Sequence, residues 1–116
     1  MGKLSTHILD TVHGKPAANV AIELYSMHGE PQLLLATRTN ADGRTDAPLL
    51  TDQAVKRGRY RLVFHVGDYF RATGITLPDP AFVDVVPIDF GIAENGGNYH
   101  VPLLCSPWTY STYRGS

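Results

Sequence analysis

Val20-Ala21-Ile22-Glu23-Leu24-Tyr25, closed shortly afterwards by His28-Gly29-Glu30-Pro31, decides the fold class. Side chains of an extended chain point to opposite faces in turn, so the alternation of Val20, Ile22 and Leu24 with their neighbours predicts a strand with one buried face. Glycine and proline then punctuate it. The same unit recurs in both directions. Leu4 to Asp10 precedes His13-Gly14-Lys15-Pro16, and Leu33 to Thr39 runs into Asn40-Ala41-Asp42-Gly43, a strong turn. Arg59 to Val66 is rich in β-formers, and Val83 to Ile92 and Tyr99 to Leu104 are separated by Asn95-Gly96-Gly97. Trp108 to Tyr113 is a last, Thr/Tyr-rich candidate. Eight prolines and eleven glycines in 116 residues argue against long helices. Only Asp68 to Thr73 reads as a short helix, capped by Asp68 and stopped near Gly74. Short, regularly punctuated strands predict an all-β antiparallel sandwich or barrel, with residues 1–116 as one domain. Pro87 lacks an N–H for a ladder, so its strand is expected at an edge or with a bulge.

With 43% hydrophobic and 18% charged residues the chain has the composition of a globular protein. A net charge of −1 gives no electrostatic footprint for nucleic acid. The basic run Lys56-Arg57-Gly58-Arg59-Tyr60-Arg61 reads as a solvated turn and strand start. No apolar run approaches the roughly 18 residues that a membrane span requires, and no basic-then-apolar leader precedes Leu4. The default compartment is therefore the cytoplasm. Cys105 is the single cysteine, which excludes an internal disulfide and fits a reducing compartment. Its apolar surroundings make it a small core residue rather than a nucleophile.

Five histidines are the natural acid–base candidates. His13 and His28 fall in glycine-containing turns and read as exposed turn residues. His65 lies late in a strand and reads as a sheet-face residue. His7 and His100 each interrupt an apolar strand. No His-x-His, His-x-x-x-His or Cys-x-x-Cys spacing supports a structural zinc site. There is no Gly-x-Ser-x-Gly nucleophile motif and no phosphate-binding glycine loop. These patterns alone stop at a β-sandwich with a histidine acid–base site in view.

Four stretches carry more information together. They are Leu4-Ser5-Thr6-His7-Ile8-Leu9-Asp10-Thr11 with Gly14-Lys15-Pro16-Ala17, Ala36-Thr37-Arg38-Thr39-Asn40-Ala41-Asp42-Gly43-Arg44, Tyr99-His100-Val101-Pro102-Leu103-Leu104, and Ser106-Pro107-Trp108 leading to Tyr110-Ser111-Thr112-Tyr113-Arg114-Gly115-Ser116. In this order, from end to end, they resemble the transthyretin-related 5-hydroxyisourate hydrolases. The resemblance implies a transthyretin-like sandwich of two four-stranded antiparallel sheets with one short helix. It also implies a homotetramer, a dimer of dimers with sites at the dimer–dimer interface. In the family's strand order D-A-G-H, His7 falls on A, Arg44 at the start of D, His100 on G and Tyr113 on H. Alternation agrees, because Thr6, Ile8, Tyr99, Val101 and Leu103 facing inward leaves His7 and His100 on one outer face.

The activity implied is ring opening of 5-hydroxyisourate at an acyl C–N bond, giving 2-oxo-4-hydroxy-4-carboxy-5-ureidoimidazoline in urate catabolism, without metal or cofactor. His7 and His100 would be the acid–base pair, with the base left open between them. Arg44 would hold substrate oxygens and stabilise an oxyanion. Tyr113 would position the substrate, and the Ser116 hydroxyl or carboxylate would orient a neighbouring group. Two rivals share the fold class: a non-catalytic, thyroid-hormone-type carrier of the transthyretin fold and a β-sandwich interaction module.

Overall fold

The computed structural model describes residues 2–116. The strands are β1 (Lys3–Asp10), β2 (Lys15–Pro16), β3 (Ala21–Ser26), β4 (Gln32–Arg38), β5 (Leu50–Thr51), β6 (Gly58–His65), β7 (Val85–Ile92), β8 (Asn98–Cys105) and β9 (Tyr110–Thr112). A short helix, α1 (Val66–Ala72), follows β6. One sheet runs β2-β1-β8-β9, with β5 beside the start of β1. The other runs β4-β3-β6-β7. The expected sandwich with one short helix is present.

Its pairing is not wholly antiparallel, because β1 and β8 run parallel through all eight residues of each, from Lys3↔Asn98 to Asp10↔Cys105. Two strands joined by a hairpin must be antiparallel, whereas β1 and β8 are joined through the whole opposite sheet. Local pattern carries no information on that direction.

Between the sheets, Leu4 and Ile8 from β1 and Leu103 from β8 meet Ile22, Leu24, Leu62 and Phe64 from the other sheet, all at most 1% exposed. Thr6 also points inward and its hydroxyl donates to Val101 O at 2.7 Å, so its burial leaves nothing unpaired. Cys105 is buried as expected, and burial pushes its thiol up to about 12. Pro87 sits on β7, an edge strand whose register with β6 is unbroken. The irregularity in that sheet lies between Leu24 and Tyr25, where β3 meets β4. Helix α1 begins at Val66, ahead of the expected start, and Asp68 does not cap it. Burial of Val66, Gly67, Tyr69 and Phe70 fixes the helix instead, as tertiary packing usually does for one so short.

The inner end of β1 holds a polar cluster that sequence patterns did not reveal. Asp10 is fully buried, and its carboxylate accepts from the Tyr69 hydroxyl (2.7 Å) and from the Val12 and His13 amides. His13 Nδ1 lies 2.6 Å from the same carboxylate, so His13 is not a free turn residue. Burial raises the affinity of Asp10 for a proton, but the Tyr69 and His13 contacts outweigh it and hold the carboxyl below its ordinary value of 3.8. The folded state therefore binds this proton less tightly than the unfolded chain. Its stabilisation is full above about pH 4 and is lost as the pH falls further. Tyr69→Phe removes one donor from a buried carboxylate and is expected to cost about 1–3 kcal/mol in urea unfolding at pH 7, with the difference shrinking in acid.

Candidate active site

The outer face of the first sheet is built by parity. Along β1 burial alternates, with Leu4, Thr6, Ile8 and Asp10 inside and Ser5, His7 and Leu9 half-buried outside. On β8, His100 is half-buried while Tyr99 and Val101 are buried. Ser5 is opposite His100 and His7 opposite Pro102, so the two histidines lie on neighbouring strands one diagonal step apart on the same face. Pro102, which alternation between Val101 and Leu103 would turn outward with His100, is buried.

Arg44 is not at the start of a strand. It occupies the bend after Gly43, six positions before β5. The turn is closed by Asn40, whose amide donates to Arg44 O at 2.7 Å and whose side-chain oxygen accepts from the Asp42 and Arg44 amides. Gly43 has φ +72, and its carbonyl accepts from the Ile8 amide at 2.9 Å. A Cβ there would stand 2.6 Å from Ile8 O, so only glycine allows the turn to dock against β1 beside His7. Arg44 thus stands exposed on a loop docked beside β1.

The positive charge of Arg44 is felt at His100. Burial first, then Arg44 and His7, with a smaller contribution from Lys3, lower the affinity of the His100 ring for a proton below its ordinary value of 6.5, against an opposing hydrogen bond to the Ser5 backbone. The ring is therefore neutral at pH 7, as a proton acceptor must be. Its Nδ1 lies 2.8 Å from Ser5 Oγ.

The tail is set by Pro102. Leu103, Leu104 and Cys105 pair with Thr112, Ser111 and Tyr110, and the same antiparallel register resumes at His100↔Gly115, where Gly115 donates to His100 O at 2.8 Å. Pro102 stands opposite Tyr113 in that register and has no N–H to give. Its carbonyl takes the Thr112 hydroxyl instead, at 2.7 Å. The ladder breaks there, so Tyr113 lies just beyond β9 rather than on it, and is exposed beside a cavity of about 220 Å³ at the sandwich edge that His100 shares with Ile88 to Gly91 of β7. The Arg114 guanidinium stacks 4.5 Å above the Tyr99 ring and donates to Asn98 O. Ser116 is exposed and follows Gly115 directly.

His7 and His100 are thus brought to one face within the field of Arg44, whereas Tyr113 stands at the sheet edge toward β7. Sequence patterns missed Ser5, and missed the part played by Pro102. A proline within a strand paired on both sides was the available signal. Among the described residues no three His, Cys, Asp or Glu side chains gather in a way that could hold a metal ion.

A family model described as the HIUase/Transthyretin family matches residues 4–115. The 5-hydroxyisourate hydrolase of Ralstonia nicotianae is 56% identical over 117 aligned positions covering 100% of both chains. The solved 5-hydroxyisourate hydrolase of Klebsiella pneumoniae is 37% identical with a TM-score of 0.77, covering 100% of both chains. Transthyretin from Sparus aurata is 30% identical with a TM-score of 0.85, covering 97% of this chain and 96% of that one. Backbone likeness does not separate hydrolase from carrier, whereas sequence identity favours the hydrolases. With a match that spans all but the extreme ends, the chain belongs to the HIUase/transthyretin family.

Proposed function

We propose that this chain is a 5-hydroxyisourate hydrolase, opening the six-membered ring of its substrate at an acyl C–N bond to give 2-oxo-4-hydroxy-4-carboxy-5-ureidoimidazoline. The observation that carries the reading is the pairing of His7 and His100 on one outer face under the charge of Arg44, in a chain 56% identical to a hydrolase over its full length. In this mechanism one histidine takes a proton from water as the water oxygen adds to a ring carbonyl. Arg44 holds the oxyanion that forms. The C–N bond then breaks, the electron pair going to nitrogen, and the protonated histidine or its partner delivers the proton that nitrogen needs. Tyr113 positions the flat substrate from the sheet edge, and Ser116 orients a neighbouring group.

The face carrying the histidines is one side of an open sheet, and a homotetramer would cover it with a second copy, giving sites between dimers. Exposed Tyr110 on β9, with Trp108 and Tyr113 on either side of the strand, suits such a contact. A cytoplasmic location agrees with a single buried cysteine. No described helix is long and apolar enough to cross a membrane.

The direct test follows the ultraviolet absorbance of freshly made 5-hydroxyisourate, with spontaneous decay subtracted. Acceleration proportional to protein is expected, and its absence would leave the carrier or the interaction module as the better reading. With His100 as the base, activity should rise with pH along a single acid limb whose midpoint lies below 6.5, because His100 must be neutral and its proton affinity is depressed. Arg44→Lys keeps the charge and should keep that midpoint, whereas Arg44→Ala should move it upward.

A further inference from the structure

Ser5 and His100 are direct partners across the parallel β1–β8 pair, and Ser5 Oγ lies 2.8 Å from Nδ1 of His100. Among the described residues this is the only side-chain hydrogen bond Ser5 makes, and Nε2 on the other side of the ring has no partner. Gly115 closes the ring from the tail side, where any Cβ would overlap Cδ2 of His100. The imidazole is therefore held at one nitrogen and along one edge, with the second nitrogen free.

A hydroxyl can give or take a proton, so the surrounding charges decide between the two. Arg44, His7 and Lys3 are the charged or titratable groups that act on this ring, and Arg44 and Lys3 offer only donors. The Ser5 backbone contact favours a ring proton, so the acceptors near the ring lie on the Ser5 side. The ring proton then belongs on Nδ1, toward Ser5.

We propose that Ser5 is a positioning residue that accepts the Nδ1–H of neutral His100, fixes the ring against Gly115, and leaves the Nε2 lone pair as the base that activates water. The word "base" rests on the hydrolase reading, whereas the tautomer does not. As water adds to the carbonyl, its proton passes to Nε2 and the ring becomes an imidazolium with N–H on both nitrogens. The Nδ1–H···Oγ bond persists and strengthens, because its donor is now charged. Ser5 thus contributes more in the transition state than in the ground state, which predicts an effect on kcat rather than KM.

The experiment compares wild type, Ser5→Ala and Ser5→Thr, the last retaining the hydroxyl. Long-range ¹H–¹⁵N NMR of the labelled imidazole, at a pH where the ring is neutral, should show a protonated Nδ1 and a bare Nε2 in wild type and Ser5→Thr. Ser5→Ala should lose that single tautomer. In kinetics with 5-hydroxyisourate, Ser5→Ala should lower kcat about tenfold, leave KM within about twofold, and move the acid limb to lower pH, with Ser5→Thr restoring all three. An unchanged His100 tautomer in Ser5→Ala overturns the proposal, as does a kcat loss shared equally by Ser5→Thr. If wild type hydrolyses nothing yet its tautomer depends on Ser5, the hydrolase reading fails and the positioning role stands.

Discussion

Turnover by the His100→Ala variant is expected to fall about 10³-fold, with the sandwich intact. The ring lies on the outer face, so its removal opens no core cavity, and the backbone pairing of His100 with Ser5 and Gly115 does not involve the side chain. The Ser5 hydroxyl left behind can turn to water. The chemical loss is large because the proton leaving the attacking water then has no acceptor at that position. His7→Ala and Arg44→Ala are expected to fall about 10²–10³-fold, the first by losing the second proton carrier and the second by losing the charge that holds the oxyanion. Arg44→Ala should also leave its turn in place, since Asn40 and Gly43 close and dock it through the backbone. Steady-state rates at pH 7, with far-ultraviolet circular dichroism as the folding control, check all three. Wild-type turnover in His100→Ala would sink the acid–base assignment.

What could be read without coordinates was whatever depends on residues close together in sequence. Alternation marked β1 and β8 and assigned His7 and His100 to one outer face, because parity is local. The Asn40–Gly43 turn was equally legible, since the Asn40 side chain caps amides only two and four residues away. Arg44 was assigned to a strand start and stands in a bend, because docking of Gly43 on Ile8 is a long-range contact that no pattern near Arg44 encodes. The parallel sense of β1 and β8 was hidden for the same reason. The start of α1 was misplaced because a capping signal at Asp68 was outweighed by burial of Val66 and Gly67. The Asp10, His13 and Tyr69 cluster joins residues up to 59 positions apart, so each looked ordinary alone. Resemblance supplied the candidate residues, and the structure supplied the contacts that constrain them.

Deleting Arg114 to Ser116 is expected to lower kcat about 10²-fold while the core stays folded, since none of these residues is buried in it. Three attachments are lost together. Arg114 no longer stacks on Tyr99 or reaches Asn98 O, Gly115 no longer pairs with His100 O, and the edge of the His100 ring loses its stop. Tyr113 lies where Pro102 breaks the ladder, so without the bridge at Gly115 nothing beyond Thr112 ties it to the sheet. An imidazole held only by Ser5 and a tyrosine held only through Thr112 would spend little time in one geometry, and a misplacement of about 1 Å can cost about 10²-fold. Gly115→Ala separates the contributions. It keeps the Arg114 contacts and Ser116 but places a methyl group against Cδ2 of His100, so its kcat should fall about as far as that of the deletion. If Gly115→Ala were fully active and the deletion were not, the tail would act through Arg114 or Ser116 rather than by seating the histidine ring.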